Sequence, residues 1–553
     1  MITLDEVRAV PIFAEVADAE LERLAKRSAD VRLQPGEYAA HEGEARALFV
    51  VLEGETTVTK YSDGIERVVG RRTAGEIFGE VPIVFGTPFL ASLRAATATR
   101  LMRIEPRDFH AVSASEPDLA ASVGALAQER IEGLHDLAAD QPAARATIVG
   151  ERYDSQCRDI REFLDRNGVT FDWITPDDPE LLTRIPGAGG IKGRLPAVAL
   201  DGGGLLIRPD QREVARRLGL TTTPSFAEYE TVIIGGGPAG LAAAVYGASE
   251  GLRTLMIERE APGGQAGTSS RIENYLGFPN GVTGGELAGR ALAQAKRFGA
   301  EILVTRSVVE IDSRTREIEL DGGEVVRAGT IILATGVSWR RIPLKGFEEL
   351  TGRGIYYGAS QSEANTLSGL DVFLIGAGNS AGQAAMYFSN YARTVTMIVR
   401  GPSLEKSMSH YLVEQLATKS NISVRLGSEV AAVHGSDHLE AIDVTDSSGG
   451  ASERIPAAAL YVFIGADAET SWLPEEIDRD GRGYVLTGED AAKNGSWTLP
   501  RDPYLLETSV PGIFACGDVR NQSIKRVAAA VGEGSMAIAF VHKFLESDAG
   551  VKQ

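Results

Sequence analysis

The spacing of apolar residues changes character several times along the chain, and each change predicts a different kind of element. From Leu4 to Leu24 the apolar positions recur at helical spacing, which predicts one amphipathic helix. Short alternating segments follow, broken by glycines: RLQPGEYAAHEGE, ALFVVLEGETTVTK and RVVGRRTAGEIFGE. Strands at this interval predict a small antiparallel barrel or jelly roll. A second helical stretch, Asp118 to Leu137, closes this unit, and DQPAARA (Asp140 to Ala146) reads as a linker. Next come TIVG, the helical run CRDIREFLDRNG, then VTFDWIT, LPAVALDGGGLLI and the helix DQREVARRLGL. Their periods give the order β-α-β-(α)-β-β-α, and TTTPSF (Thr221 to Phe226) looks like another linker. From Tyr229 onward strands alternate with helices as in doubly wound sheets.

The expected fold is therefore α/β: two doubly wound dinucleotide-binding domains, the second inserted in the first, preceded by a β-jelly-roll domain and a small α/β domain. The expected boundaries are 1–140, 146–220, 228–345, 346–458 and 459–553. A length of 553 residues suits three or four domains. The formal charge of −20 argues against nucleic acid and against anionic membrane surfaces as partners. No apolar run is long enough to span a bilayer, and MITLDEVRAV lacks the pattern of a secretory signal. Only two cysteines are present, Cys157 and Cys516, which fits a cytoplasmic protein without a disulfide framework.

The strand TVIIG runs into GGPAG and then into the helix LAAAVYGASEG. This places Gly235, Gly237, Pro238, Ala239 and Gly240 where backbone N–H groups and a helix N-terminus can hold a pyrophosphate. The following strand, TLMIE, ends on Glu258, about 20 residues further on, where a carboxylate can accept from a ribose hydroxyl. Two more runs carry a family resemblance. GGQAGTSSRIENYLGFP (Gly263 to Pro279) resembles the flavin-contacting segment of low-molecular-weight thioredoxin reductases, and TSVPGIFACGDV (Thr508 to Val519) resembles their C-terminal flavin motif. The resemblance covers about residues 229 to 553 and implies FAD. It places Gly264, Gln265 and Asn274 beside the flavin ring, with Ala334, Thr335 and Gly336 forming a further glycine segment. It sets Gly517 and Asp518 on the ribityl or pyrophosphate, and Arg526, Val527 and Ala528 at the pyrimidine end.

A second fingerprint, GAGNSA, follows the strand DVFLIG and gives Gly376, Gly378, Asn379, Ser380 and Ala381 as nicotinamide-dinucleotide ligands. Its partner strand ends on Arg400 rather than an acid, which favours the 2′-phosphate of NADPH over NADH. The family usually has a second arginine next, but Gly401 stands there. The family's redox CxxC is also missing: in GRGIYYGASQSEA its two positions fall on Gly358 and Gln361. Neither can exchange with a disulfide. Hydride transfer from NAD(P)H to FAD is then expected to feed an unidentified acceptor, a small molecule or a redox protein. Tyr356 and Tyr357 either line an opening beside Gly358 or pack in a strand. Ser407, Ser409 and His410 read either as a helix start or as a place for a catalytic histidine. Three alternatives stand beside this reading: ferredoxin or flavodoxin reduction, disulfide reduction through Cys157, and a nucleotide or redox sensor. The resemblance also implies a homodimer.

The two front modules carry their own resemblances. GEIFGEVPIVFGTPFLASLRAAT (Gly75 to Thr97) resembles the phosphate-binding cassette of cyclic nucleotide-binding domains, with Gly79 and Glu80 at the ribose-binding positions. The position of the arginine that should hold the cyclic phosphate is taken by Phe89, while Ser92 keeps the small hydroxyl position and Arg94, two residues on, is a substitute if strand alternation sets it on the same face. Loss of that charge-assisted pair argues against a cyclic nucleotide ligand and for a structural or dimerising module. The second module resembles a degenerate glutaredoxin or thioredoxin. DSQC (Asp154 to Cys157) keeps only the second cysteine, and Pro196 falls where that family has a cis-proline.

Overall fold

The computed structural model describes the chain apart from residues 1, 63–64, 140–143, 192, 202, 270, 359–366, 368, 447–451, 494, 496 and 552–553. It divides into two compact units, 1–143 and 144–553. No helix among the described residues is long and apolar enough to cross a membrane.

The first unit opens with three short pieces instead of the single helix expected from Leu4 to Leu24. These are the helix Leu4–Arg8, a 3-10 turn Pro11–Phe13 and the helix Asp18–Arg27. Thr3 caps the first piece through the N–H of Glu6, and Pro11, which has no N–H to donate, starts the turn that ends the run. Two four-stranded antiparallel sheets follow. One has the order Ala29–Leu33, Thr99–Ile104, Leu48–Glu53, Ile77–Phe78. The other runs Tyr38–Ala40, Ser92–Ala95, Glu55–Ser62, Ile65–Thr73. Phe49, Val51, Val58, Phe78, Phe89 and Leu93 form one shared core cluster, so this is the expected jelly-roll arrangement.

In the second unit, the strands Ala146–Val149 and Phe171–Ile174 pair in parallel, and Ala197–Leu200 and Leu205–Ile207 extend the sheet antiparallel. The helix Ser155–Arg166 packs Cys157, Ile160, Phe163 and Leu164 into one core with Ile148 and Val198. The Leu195–Pro196 peptide is cis.

The flavin-type sheet is built on parallel strands in the order Glu301–Leu303, Thr254–Ile257, Glu228–Ile234, Val325–Leu333 and Ile513–Ala515. The strand Val325–Leu333 also pairs antiparallel with Glu317–Leu320 through its first residues. The second doubly wound sheet has the parallel order Ile355–Tyr357, Ala459–Val462, Asp371–Ile375, Thr394–Val399, Ile422–Leu426. Its central strands are near-continuous apolar runs because both faces are covered. The insertion extends past residue 458, since Ala459–Val462 is an inner strand of this sheet. A ribbon of two short strands, Ser338–Trp339 and Ala466–Asp467, marks where the chain enters and leaves it.

Candidate flavin and nicotinamide sites

The first glycine loop is shaped by close backbone approach. Gly235 has φ of 107°, and a Cβ there would fall 2.4 Å from the Ala334 carbonyl oxygen. A Cβ on Gly240 would fall 1.9 Å from the Gly235 carbonyl oxygen, so the helix Pro238–Ser249 meets its own loop only through glycine. Gly237 caps that helix and Pro238 occupies its first turn, which leaves unpaired N–H groups at the positive end of the helix dipole. Gly264 lies directly on Gly237, where a Cβ would approach the Gly237 Cα to 2.9 Å. Ala239 is buried beneath the loop, close to Gly517 and Gly534 of the C-terminal segment.

Glu258 is buried at the end of its strand. Its Oε2 accepts the Gly236 N–H at 2.6 Å and its Oε1 accepts the Glu260 N–H at 2.9 Å. Burial pushes this carboxyl up, and the two N–H donors work against that. Each oxygen keeps a lone pair to offer a ribose diol. At the end of the next strand, Thr335 presents a buried Oγ1 with no partner in the protein, and Gly336 turns with φ of 66°. Gln265 donates its Nε2 to the Val337 carbonyl, and Thr268 donates to the Gln265 carbonyl at 2.9 Å. Gly517, with φ of 74°, donates its N–H to Glu533 at 2.7 Å. The carboxyl of Asp518 is pushed up by burial, opposed by the Lys525 ammonium, which donates to the Asp518 carbonyl at 2.6 Å. Val527 begins the long C-terminal helix half-buried. Asn274, Arg526 and Ala528 are exposed and lie outside the buried cluster. A glycine cradle, a free helix N-terminus, an acidic ribose partner and an orphaned threonine hydroxyl together fit a bound dinucleotide.

The second loop repeats this construction. Gly376 has φ of 145°, and a Cβ there would sit 2.5 Å from the Phe463 carbonyl oxygen. Gly378 caps the helix Asn379–Phe388 and has nothing within 4 Å of its Cβ position, so this face is open. Ala381 is fully buried and Ser380 is exposed. Asn379 accepts the Ser409 N–H at 2.7 Å, and Ser407 donates to the Ala377 carbonyl at 2.8 Å. The segment holding those two serines is thus tied across the loop, a role that the sequence left open. His410 starts the helix His410–Ala417 with its side chain 85% exposed and 3.6 Å from Glu414; the helix-start reading holds. Arg400 is exposed at the end of the strand Thr394–Val399.

Gly358, which the sequence sets at the family's first dithiol position, is buried with φ of 89°. A Cβ there would lie 3.6 Å from Trp339 Nε1 and 3.8 Å from Thr268 Oγ1, against the flavin segment. Gln361 and Ala359 lie outside the described residues. Tyr357 accepts the Ile342 N–H at 3.2 Å, and Tyr356 packs on Tyr461 with ring centroids 5.1 Å apart, so both serve strand packing. Cys157 is buried where a Cβ on Gly150 would lie 2.4 Å from its Sγ, and burial pushes its thiol up to about 11. Burial raises the Cys516 thiol as well.

In the first unit, the cassette residues are partnered by other residues of the same unit. Glu80 is buried and pairs with Arg130 at 3.0 Å, and Arg130 also donates to the Ile77 carbonyl. Phe89 stacks on Phe78 with centroids 5.4 Å apart. Ser92 accepts the Glu42 N–H at 2.9 Å, while Arg94 shares its face but lies 3.5 Å from Glu66 and over the Tyr38 ring. Arg130 has no local sequence signal that would have singled it out.

The model of the family described as pyridine nucleotide-disulphide oxidoreductase matches residues 229–534, and that of the cyclic nucleotide-binding domain matches residues 30–116. A thioredoxin reductase of Peptoclostridium acidaminophilum is 31% identical over 327 residues, covering 58% of this chain and 98% of that protein. A bifunctional thioredoxin reductase/thioredoxin of Mycobacterium leprae is 32% identical over 337 residues, 60% of this chain and 70% of that protein. Among solved structures, the thioredoxin reductase of Lactococcus lactis matches with a TM-score of 0.52 at 26% identity, over 58% of this chain and 99% of that one. The thioredoxin reductase of T. acidophilum gives 0.51 at 27%, over 59% and 99%.

Proposed function

Because this chain belongs to the pyridine nucleotide-disulphide oxidoreductase family, as an FAD- and NAD(P)H-dependent oxidoreductase of the thioredoxin reductase type, we propose that it passes electrons from NADPH through FAD to an acceptor other than a dithiol. The observation that carries this reading is glycine at position 358, against Thr268 and Trp339, where the family's first redox cysteine would stand.

FAD, when bound, supplies the two-electron chemistry; the residues around it bind and orient. The loop Gly235–Gly240 and the first turn from Pro238 hold the pyrophosphate, and Glu258 holds the adenosine ribose. Thr335 offers its orphaned hydroxyl, Asp518 takes the ribityl side, and Gln265 is fixed by its bond to the Val337 carbonyl. On the other domain, Gly376, Gly378 and Asn379 receive the nicotinamide dinucleotide, and Arg400 meets the 2′-phosphate. Neither native cysteine is placed to relay electrons, since both thiols are fully buried and pushed up by burial. Cyclic nucleotides are not ligands in this reading, because Phe89 and the Arg130–Glu80 pair take the places of phosphate and ribose contacts.

The test is anaerobic stopped-flow: NADPH reduces the flavin, and the reduced enzyme is then mixed with oxygen, a quinone, ferredoxin, thioredoxin or a small disulfide. Thioredoxin and the disulfide are expected to reoxidise it more slowly than the best of the others. Fastest reoxidation by thioredoxin would overturn the reading. Arg400→Ala is expected to raise KM for NADPH by about 10-fold while leaving that for NADH unchanged, the size of one charge-assisted phosphate contact. Equal effects on both nucleotides would remove Arg400 from the site.

A further inference from the structure

The module 146–220 has lost its leading cysteine, yet it is tightly engaged by both nucleotide-binding domains. The hydrogen bonds to the flavin domain and the ring contacts to the nicotinamide domain fall at opposite ends of one helix, Ser155–Arg166, whose 12 residues span about 18 Å. At the C-terminal end, Arg166 is only 11% exposed and pairs with Glu260 at 3.2 Å. It also donates to the carbonyls of Ala261 at 2.8 Å and Gly264 at 3.3 Å. Gly264 is the residue that lies on Gly237 of the first phosphate loop, so this arginine grips the backbone of the flavin segment itself. Arg212 adds a second anchor on the same domain through the Thr305 carbonyl and Asp321.

At the other end of the helix, the contacts are with the nicotinamide domain. Tyr153 stacks on His438 with ring centroids 4.6 Å apart and planes 10° from parallel. The Arg158 guanidinium lies 5.8 Å over the Tyr356 ring, and a Cβ on Gly352 would approach its Nη1 to 3.1 Å. Tyr153 to Arg158 brackets the DSQC segment, the place of a thioredoxin-type active site. Tyr356 stands two residues before Gly358, the vacated dithiol position. The segment that lost its leading cysteine therefore touches the strand that runs into the vacated dithiol position, and the one sulfur left there, on Cys157, is buried.

Apart from this module, the nicotinamide domain is joined to the flavin domain covalently only through the two-strand ribbon of Ser338–Trp339 and Ala466–Asp467. A connection of that kind permits rotation unless a further contact prevents it. In the present orientation Gly358 meets Thr268 of the flavin segment, while the second glycine loop contacts Phe463, Ser407 and Ser409 of its own domain. A turn of the nicotinamide domain about the ribbon breaks one end of the helix contact, because the other end is fixed on the flavin domain.

We propose that the module 146–220 is a redox-silent strut that holds the two nucleotide-binding domains in this orientation and slows any turn of the nicotinamide loop toward the flavin. Its nicotinamide-side end, held by ring and guanidinium contacts, yields first. The flavin-side end, a nearly buried arginine with three acceptors, stays attached. The braking role rests on the reading of the preceding section; the holding role does not.

The test uses the full-length flavin-loaded protein with Glu319→Cys on the flavin domain and Glu429→Cys on the nicotinamide domain, both exposed sites. Spin labels go to these two alone, because Cys157 and Cys516 are fully buried. Electron-electron double resonance is expected to give one narrow distance. Adding Tyr153→Ala and Arg158→Ala should broaden it or add a second population, and should speed flavin reduction by NADPH at least three-fold. Arg158→Lys with Tyr153→Phe, which keeps charge and ring, should retain the narrow distribution and guards against simple misfolding. Identical distributions with and without the strut contacts overturn the proposal. A broadened distribution with unchanged reduction overturns the braking role. If NADPH reduces the flavin in neither protein, the functional reading fails while the distances still decide the strut.

Discussion

Replacing Gly376 by alanine is expected to give a protein that retains its flavin but is reduced by NADPH about 100-fold more slowly, the size of effect that a misplacement of about 1 Å produces. The backbone at Gly376 has φ of 145°, which L side chains rarely adopt, and the added carbon would sit 2.5 Å from the Phe463 carbonyl oxygen. That oxygen belongs to the backbone immediately after the inner strand Ala459–Val462, and the Phe463 N–H is bonded to the Ile375 carbonyl, so it cannot move away without disturbing the sheet. The loop has to shift, and with it the start of the helix Asn379–Phe388, proposed above to receive the nicotinamide dinucleotide. FAD content should be normal, because the flavin loop is built on a different sheet. Rapid-mixing reduction and the bound-flavin spectrum check both halves; wild-type reduction kinetics would count against the assignment of this loop.

Glu507→Ala is expected to cost about 3–5 kcal/mol of stability, the usual price of stranding one partner of a buried pair. Glu507 has no solvent exposure, and four hydrogen bonds converge on its two oxygens. Arg501 donates to both, at 2.7 and 2.9 Å, and the N–H groups of Tyr504 and Gly512 donate at 2.9 and 3.0 Å. The loop it closes leads into Ile513–Ala515 and then Gly517 and Asp518, so its loss should loosen the flavin motif as well as the core. Glu507→Gln keeps two acceptor lone pairs and should lose about half as much. Denaturant unfolding followed by flavin release measures both; a loss below about 1 kcal/mol for the alanine variant would mean that the network relaxes around the gap.

The parts of this architecture that could be read from the sequence are those with a short-range physical cause. Glycines at 235, 240 and 376 announce close backbone approach, and a strand ending on Glu258 announces a buried acid opposite a glycine turn. Apolar runs such as VFLI mark strands covered on both faces. The single helix expected from Leu4 to Leu24 failed at Pro11, where loss of one N–H outweighed a continuous amphipathic pattern. Phe89 was visible as a missing arginine, but its stacking on Phe78 and the pairing of Arg130 with Glu80 join residues far apart in the chain. The same is true of Arg166, which ends an ordinary surface-like helix pattern and reaches the Gly264 carbonyl 98 residues away. Nothing in the neighbours of Arg166 distinguishes it from an exposed arginine; only tertiary packing gives it acceptors. Ser407 and Ser409 lie between these cases, legible as a helix start but not as a tie across the glycine loop.

The two cysteines of this chain have a chemical consequence for the conditions in which it can work. With its thiol pushed up to about 11, Cys157 is thiolate to the extent of only about one part in ten thousand at neutral pH. Cys516 is shifted in the same direction, and both are fully enclosed. Peroxides and electrophiles act on exposed thiolates, converting them to sulfenic acids and beyond. Neither cysteine offers such a target, so oxidants that arrest an enzyme through its active-site thiols have no foothold at these two positions.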